Sequence, residues 1–302
     1  DCSQSLVELH ERLIMELKRL GEKYEIIFVD DCDKENSWSI IQDIASKDNS
    51  VKGIRFSKNF GQHVAITAGL SESIGDWVVV MDCDLQDKPE EIINLYDESQ
   101  KKKVDIVFGQ RTERKDSYIK HLNSKLFYLI LGYLTDTKLD SSISNFGIYS
   151  RRVIDSILLM KESHRYFPVM VRWVGFTSSK LGVAHTQRIQ GKSAYTYKKL
   201  LSLAVGTMIS FSDKPLRLIV MFGFILSFLS SIYVVSIVIN ALSHTTNVAG
   251  WSSLMASIWF IAGILISIIG VVGLYVGKTF DQTKSRPVYI VRERIHKREG
   301  DV

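Results

Sequence analysis

Trp77-Val-Val-Val-Met-Asp-Cys-Asp-Leu-Gln-Asp87, followed at once by Lys88-Pro89, is the stretch that decides the fold. Five apolar residues in series, unbroken by polar alternation, predict a strand buried on both faces, the habit of parallel sheets. Pro89 ends it. Because side chains alternate along an extended chain, Asp82 and Asp84 emerge on the same side, at the carboxyl end of the strand. Open α/β sheets bind their ligands at that end. Two hard oxygen donors suit Mg²⁺ or Mn²⁺ already carrying a phosphate, since such ions are held by one or two carboxylates plus the substrate. A bare Asp-x-Asp is equally an acidic strand end in a solvated turn, so the rest of the chain has to choose.

Upstream, Glu25-Ile-Ile-Phe-Val-Asp-Asp31 repeats the form, an apolar run closing on paired acids. Leu6, Leu9, Leu13, Leu17 and Leu20 recur at helical spacing, which predicts an amphipathic helix over Ser3 to Leu20, ended by Gly21. Asn36 or Ser37 caps a second helix reaching about Ala45. Val51 to Phe56 reads as a short strand. Lys58-Asn-Phe-Gly-Gln62 then opens a helix toward Gly69, whose first N–H groups suit a phosphate; a plain N-cap role for Asn59 fits as well. Downstream, Pro89 starts a helix to about Lys101, and Asp105 to Gly109 is the next strand. Helices follow over Lys120 to Leu134 and Ser150 to Met160. Strands alternating with helices mean βαβ units, hence an α/β fold with a mainly parallel sheet. Such a sheet normally begins with a strand, whereas these residues begin in a helix; the expectation is a first strand missing from the stretch at hand.

The 302 residues suffice for one large or two ordinary domains, and 46% hydrophobic content is ordinary for a soluble protein. The distribution is not ordinary. Leu218 to Leu242 and Ser253 to Gly277 carry no charged side chain, and each is long enough to span a hydrocarbon layer of about 30 Å. The link between them has no Lys or Arg, while Lys198, Lys199, Lys214 and Arg217 precede the pair and Lys278, Lys284, Arg286, Arg292 and Arg294 follow it. That asymmetry predicts a transmembrane hairpin with both ends in the cytosol. Lys198 to Ser212 reads as an amphipathic helix in the membrane interface. The expected organisation is a cytosolic catalytic domain at 1–197, an interfacial helix at 198–215, two transmembrane helices at 216–277 and a cytosolic basic tail at 278–302. The net charge of +5 gathers beside the apolar segments, so the partner it implies is an anionic lipid bilayer rather than nucleic acid. Cys2, Cys32 and Cys83, an odd number without CxxC spacing, argue against a disulfide scaffold or a zinc site and fit a reducing compartment.

Phe28-Val-Asp-Asp31, Ser57-Lys-Asn-Phe-Gly-Gln62, Val80-Met-Asp-Cys-Asp-Leu-Gln-Asp87, Val107-Phe-Gly-Gln-Arg111 and Arg188-Ile-Gln-Gly-Lys-Ser193 occur in this order ahead of the apolar pair. Each motif alone is weak. The ordered set resembles the GT-A family 2 glycosyltransferases that load sugars onto polyprenyl phosphate, relatives of dolichyl-phosphate mannose synthase and of bacterial undecaprenyl-phosphate glycosyltransferases. The resemblance covers nearly the whole chain, through the tail Lys284-Ser-Arg-Pro-Val-Tyr-Ile290.

That resemblance implies a nucleotide-diphosphate-sugar donor, a divalent metal (Mg²⁺ or Mn²⁺), a polyprenyl phosphate acceptor and an inverting hexosyl transfer. It also implies a multi-pass place in the cytoplasmic membrane and a homo-oligomer, a tetramer in many relatives. Asp30, Asp31, Asn59, Gln62 and Asp82 fall where relatives hold the donor. Asp84, Asp82 and Gln86 fall at the metal, with Asp84 the direct ligand. Arg111 faces the acceptor phosphate, joined by Lys120, Ser124, Arg188 and Lys192; the last two fit a lipid headgroup patch equally well. Asp82, Asp84 and Arg111 are the catalytic set. Two departures matter. Cys32-Asp33 replaces the usual Gly-Ser after the paired acids, which leaves the base preference open. Asn145 and Gly147 stand where several relatives carry an acid and an Arg, so no catalytic carboxylate is expected there. The chemistry tolerates that absence, because a phosphate monoester has its second pKa near ~6 and arrives largely ionised.

Two other functions compete. A membrane glycosyltransferase extending a hydroxyl acceptor needs a general base near that acceptor, and no convincing acidic pair after Arg111 supplies one. An inactive, membrane-anchored partner-binding module is disfavoured by intact metal and basic motifs. A dinucleotide oxidoreductase is disfavoured too, since no G-x-G-x-x-G follows a strand.

Overall fold

The computed structural model describes residues 3–32, 36–111, 143–184, 214, 216–225, 228–229, 232 and 250–295. Helix α1 (Leu6–Leu20) leads to β1 (Ile26–Asp30), α2 (Ser37–Lys47), β2 (Val51–Phe56), α3 (Gln62–Glu72), β3 (Trp77–Val80), α4 (Glu91–Lys102) and β4 (Ile106–Arg111). After these come β5 (Ile143–Ser150), α5 (Arg151–Leu159), α6 (Phe167–Trp173) and β6 (Ser178–Val183). The apolar helices α7 (Leu216–Ile225) and α8 (Trp251–Thr283) precede the last strand, β7 (Val291–Ile295). Every element expected up to Leu159 among the described residues is present, with ends shifted by a few residues. The helices expected over Lys120 to Leu134 and Lys198 to Ser212 lie outside the described residues.

The strands form two sheets. In the first, β2 runs parallel to β1 from Ile26 opposite Val51 to Asp30 opposite Arg55, and β7 lies antiparallel on the other side of β2. In the second the order is β3-β5-β4-β6. Strand β5 is antiparallel to both neighbours, and β6 is parallel to β4. The sheet is therefore mixed where a mainly parallel one was expected. Strands β3 and β4 do run the same way, as the connection through α4 requires, but β5 inserts between them in reverse. Strand β3 is also less buried than its composition predicts: only Val80 is buried, because β3 has a neighbour on one side alone among the described residues.

The core is built from the apolar stripe of α1 (Leu6, Leu9, Leu13), from Trp38, Ile41 and Ile44 of α2, and from Ile92 and Leu95 of α4. These close over Ile26, Phe28, Val107, Phe146 and Ile148 of the strands. Full burial of such a side chain contributes about 1.5–3 kcal/mol, so this packing holds the strand ends, and whatever they carry, in place.

The chain divides into two compact units: one runs to Leu200, apart from Leu134–Asp136, and resumes at Arg286; the other includes Leu201–Ser285. In the second unit, Ile261–Thr283 of α8 is long and apolar enough to cross a membrane, and among the described residues it is the one segment that is. Its Ile266, Ile269 and Val276 are exposed. Helix α7 starts the first expected span, and the rest of that span lies largely outside the described residues. One cysteine also departs from expectation. Cys83 is disulfide-bonded, while Cys32 is free. Sequence spacing carries no record of long-range approach, and here the start of the chain reaches the Asp82 loop, with Ser5 Oγ donating to the Cys83 carbonyl at 2.6 Å.

Candidate functional site

Three strand ends meet around the loop Ser57–Gly61. At the end of β1, Asp30 is buried and paired with Arg55 of β2, Nε to Oδ2 at 3.3 Å. Arg55 also reaches Glu293 of β7, at 3.3 Å. The next carboxylate, Asp31, is turned to the loop. Its Oδ1 accepts the Phe60 amide at 2.6 Å and its Oδ2 the Gly61 amide at 2.8 Å. Gly61 sits at φ 99°, ψ 153°, a backbone conformation open essentially to glycine alone. From there α3 begins, with Gly61 accepting the amides of Val64 and Ala65.

The first residue of α3 completes the connection. Gln62 Nε2 donates to Asp82 Oδ1 at 2.7 Å. Asp84 in turn accepts the Gln86 amide at 3.1 Å, which folds the loop after β3 back on itself and aims its carboxylate. Buried Leu85 supports that turn at φ 59°, and Asp87 is buried beneath it. The sequence reading placed Asn59 and Gln62 near Asp82 and Asp84 only by resemblance; the hydrogen bond brings Gln62 and Asp82 into direct contact.

Arg111 closes β4, opposite Val183 of β6. Because β5 is antiparallel to both β3 and β4, the carboxyl ends of those two lie on one edge of the sheet with a single strand between. At 4.7–4.9 Å per strand, Asp82 and Arg111 follow strands on the order of 10 Å apart. Between them passes β5, which carries Gly147. A Cβ on Gly147 would stand 2.8 Å from the Val107 carbonyl oxygen and 3.0 Å from Tyr149 Oη. The strand packing therefore has no room for an Arg there. Tyr149 is fully buried and gives its proton to the Asn145 carbonyl at 3.2 Å; burial pushes its phenol well above the ordinary range. Lys120, Ser124, Arg188 and Lys192 lie outside the described residues.

Two further groups near the site left no mark in the sequence, and a third, Tyr289, stands in the tail that shares the resemblance. His63, one residue after Gln62, packs edge-on against Tyr166 at 4.8 Å. Burial, with the charge of His164 added, lowers its pKa to about 4, so it is neutral at cytosolic pH. Arg165, on the same segment as His164, has Nε and Nη1 sealed from solvent with no hydrogen-bond partner among the described residues, and burial lowers its pKa. Tyr289, beyond α8, stacks on Phe56 at 5.1 Å and exchanges a 2.8 Å hydrogen bond with Ser71 of α3. The signal that could have found Tyr289 is weak, a lone aromatic after Pro287.

A cavity of about 400 Å³ lies at the opposite end of the second sheet, lined by Asp76, Trp77, Asp105, Arg151 and Arg152 among others. One of its two acids, Asp105, is spoken for. Burial alone would raise the Asp105 pKa, but hydrogen bonds from Thr177, Arg152 and Ser150 outweigh it and hold the carboxyl below its ordinary value. The polar groups described above gather instead at the carboxyl ends of β1 to β3.

The donor set there fits a hard divalent cation of the kind that shares its shell with a phosphate. Among the described residues no three His, Cys, Asp or Glu side chains converge on one point. That leaves two carboxylates, Asp82 and Asp84, too few for a closed protein cage and sufficient when a diphosphate supplies the remaining oxygens.

Residues 2–158 match the profile of glycosyl transferase family 2. Over 287 residues the chain is 34% identical to the uncharacterized glycosyltransferase YkcC of Bacillus subtilis, covering 95% of this chain and 88% of that one. It is 32% identical over 271 residues to the bactoprenol glucosyl transferase of Shigella phage SfX, covering 89% and 88%. A prophage bactoprenol glucosyl transferase homolog of Escherichia coli is 31% identical over 291 residues, covering 96% and 95%.

Proposed function

The chain belongs to glycosyl transferase family 2, and from that premise we propose that it transfers a sugar from a nucleotide-diphosphate sugar to polyprenyl phosphate, with undecaprenyl phosphate as the acceptor. The observation that carries this reading is the bond from Gln62 to Asp82, which ties the loop held by Asp31 to the paired carboxylates after β3. The names of the bactoprenol relatives support the acceptor.

Asp30, Asp31, Asn59 and Gln62 hold the donor end of the site. Asp82 and Asp84, with Gln86 beside them, hold Mg²⁺ or Mn²⁺, which when bound supplies positive charge to the departing diphosphate. Arg111, with Lys120, Ser124, Arg188 and Lys192, receives the acceptor phosphate. An acceptor oxygen attacks the anomeric carbon in line while the bond from that carbon to the diphosphate oxygen breaks. The electron pair leaves with the nucleoside diphosphate, and configuration inverts. No side chain has to take a proton, because the acceptor is largely ionised. The hard step is bringing two anions together, which calls for fixed cations rather than a base.

Catalysis takes place on the cytosolic face of the inner membrane, beside a helix hairpin. Two facts support the hairpin. Helix α8 carries a membrane-length apolar stretch. Strand β7, which follows α8, pairs with β2 in the same sheet as β1, so chain on both sides of the apolar region belongs to one sheet. A crossing by α8 therefore needs a matching crossing between residues 184 and 250, and Leu218 to Leu242 is the charge-free stretch that provides it. The same apolar faces would carry homo-oligomer contacts.

The test is release of nucleoside diphosphate by the purified full-length protein, given a panel of nucleotide sugars, Mg²⁺ or Mn²⁺, and either undecaprenyl phosphate or undecaprenol. Release with the phosphate alone is expected. Release only with a hydroxyl-bearing glycan or glycolipid would move the protein to the hydroxyl-acceptor class, and none with any pair would make it a binding module.

A further inference from the structure

The two acids at the end of β1 are not equivalent. Asp30 is turned into the core toward Arg55. Asp31 stands over the loop and takes two consecutive amides, Phe60 and Gly61, one on each oxygen. The second of those amides belongs to the residue whose φ of 99° turns the chain into α3. The residue after it donates to Asp82. Three consecutive residues thus connect one carboxylate to another, and the link is short enough to act mechanically. Phe60 is held from its far side as well, edge-on to Phe56 at 5.5 Å and beneath the Lys58 ammonium at 5.1 Å.

We infer that Asp31 is a positioning residue: it locks the Phe60–Gly61 backbone so that Gln62 orients the Asp82 carboxylate for the divalent cation. This rests on the reading of Asp82 and Asp84 as the cation site and adds to it a residue that never touches the cation. The role follows from chemistry that a direct contact to the donor's nucleoside does not require. Both carboxylate oxygens are already accepting backbone N–H groups, and only an ionised carboxyl presents two acceptor oxygens with no donor among them. An Asn in its place offers one acceptor and sets an NH₂ against the second amide. Gln62 is exposed on its own account, so nothing but the loop fixes where its amide points. Its bond to Oδ1 restrains the Asp82 carboxylate from rotating.

The experiment uses the full-length protein in detergent, as wild type, Asp31→Asn, Gln62→Ala and the double variant. Amide hydrogen exchange over residues 58–62 reads the loop. Free-Mn²⁺ electron paramagnetic resonance reads cation affinity. In Asp31→Asn, exchange of the Phe60 and Gly61 amides should rise about tenfold or more, the size of effect that a charge-assisted hydrogen bond carries. Mn²⁺ affinity should fall roughly five- to tenfold in each single variant and no further in the double, the non-additivity expected of residues acting in series. Unchanged exchange, intact Mn²⁺ affinity or additive losses would each overturn the role. Gly61→Ala gives a second route if Asp31→Asn does not fold: it leaves the carboxylate in place, strains the loop and should weaken Mn²⁺ in the same way. A wild type that binds no Mn²⁺ removes the cation reading alone; the exchange rates and the Gln62 side-chain amide resonance then decide whether Asp31 sets the loop.

Discussion

Replacing Arg55 by Met tests whether the first acid of β1 belongs to the scaffold. The Asp30 side chain is 3% exposed and Arg55 24%, so the pair is largely shielded from water. Removing one member of a buried pair costs about 3–5 kcal/mol, because the remaining charge is left in a poor dielectric. Here the lower end applies: the contact is 3.3 Å long, and Asp30 keeps other polar contacts. Met retains aliphatic contact with the Trp38 ring, which lies 5.9 Å from the guanidinium, so packing loss is small. Glu293 loses one partner but stays bonded to Trp38 Nε1 at 2.8 Å. The net expectation is about 3 kcal/mol, or roughly 6–12 °C in Tm for a unit of this size. Thermal unfolding of the detergent-solubilised protein, followed by tryptophan fluorescence, measures it. The decisive comparison is Asp30→Asn placed on Arg55→Met, which removes the stranded charge and should restore more than half the loss. If Arg55→Met melts within about 1 °C of wild type, or the second substitution restores nothing, the pair does not support the strand end in this way.

Other expectations follow from the same geometry. Asp84→Asn should lower nucleotide release by a factor of about 100 or more, the scale of losing one electrostatic stabiliser, with Tm unchanged; a folded variant with full activity removes Asp84 from the site. Gly147→Ala should cost about 1–3 kcal/mol through overpacking against the Val107 carbonyl and Tyr149, measured as a fall in Tm; a neutral result refutes the close approach. His63 gives a pH signature. Its pKa drops from 6.5 unfolded to about 4 folded, so the unfolded chain binds more protons between those values and stability declines as pH falls below 6.5. About 2 kcal/mol should be lost by pH 5, at about 1.4 kcal/mol per unit. The acid-side slope should vanish in His63→Phe, and an identical pH profile in that variant contradicts the burial.

The parts legible in the sequence share one property: their signal is local. The run from Trp77 to Asp87 announces a strand and its acids because both periodicity and charge change within a few residues. Strand β5 was illegible, since Ile143-Ser-Asn-Phe-Gly-Ile-Tyr-Ser150 shows neither an apolar run nor clean alternation. Its place is set by tertiary neighbours, with Phe146 and Tyr149 sealed against β4 and α6. Strand β7 was read as a basic tail for a related reason. Val291-Arg-Glu-Arg-Ile295 is charged enough to be a solvated segment, and only Trp38, Arg55 and Glu72, all far away in sequence, make it a strand. At the site, the residue types around Asp82 were legible, whereas the division of labour between Asp30 and Asp31 was not. Adjacent acids look alike in a string, and only the side to which each turns separates them.

The position of β7 also sets an order of events during synthesis. The outer edge of β2 is covered by residues that leave the ribosome only after the whole of α8 has emerged. Until then that edge has unpaired backbone groups, and such edges invite pairing with other chains. Glu293 is likewise absent from Trp38 and Arg55, and Tyr289 from the base of the donor loop. The first sheet is thus finished from its far end, after the apolar helix has been made. A nascent chain interrupted before α8 ends with β2 open at one edge, so closure of that sheet waits for the chain beyond α8.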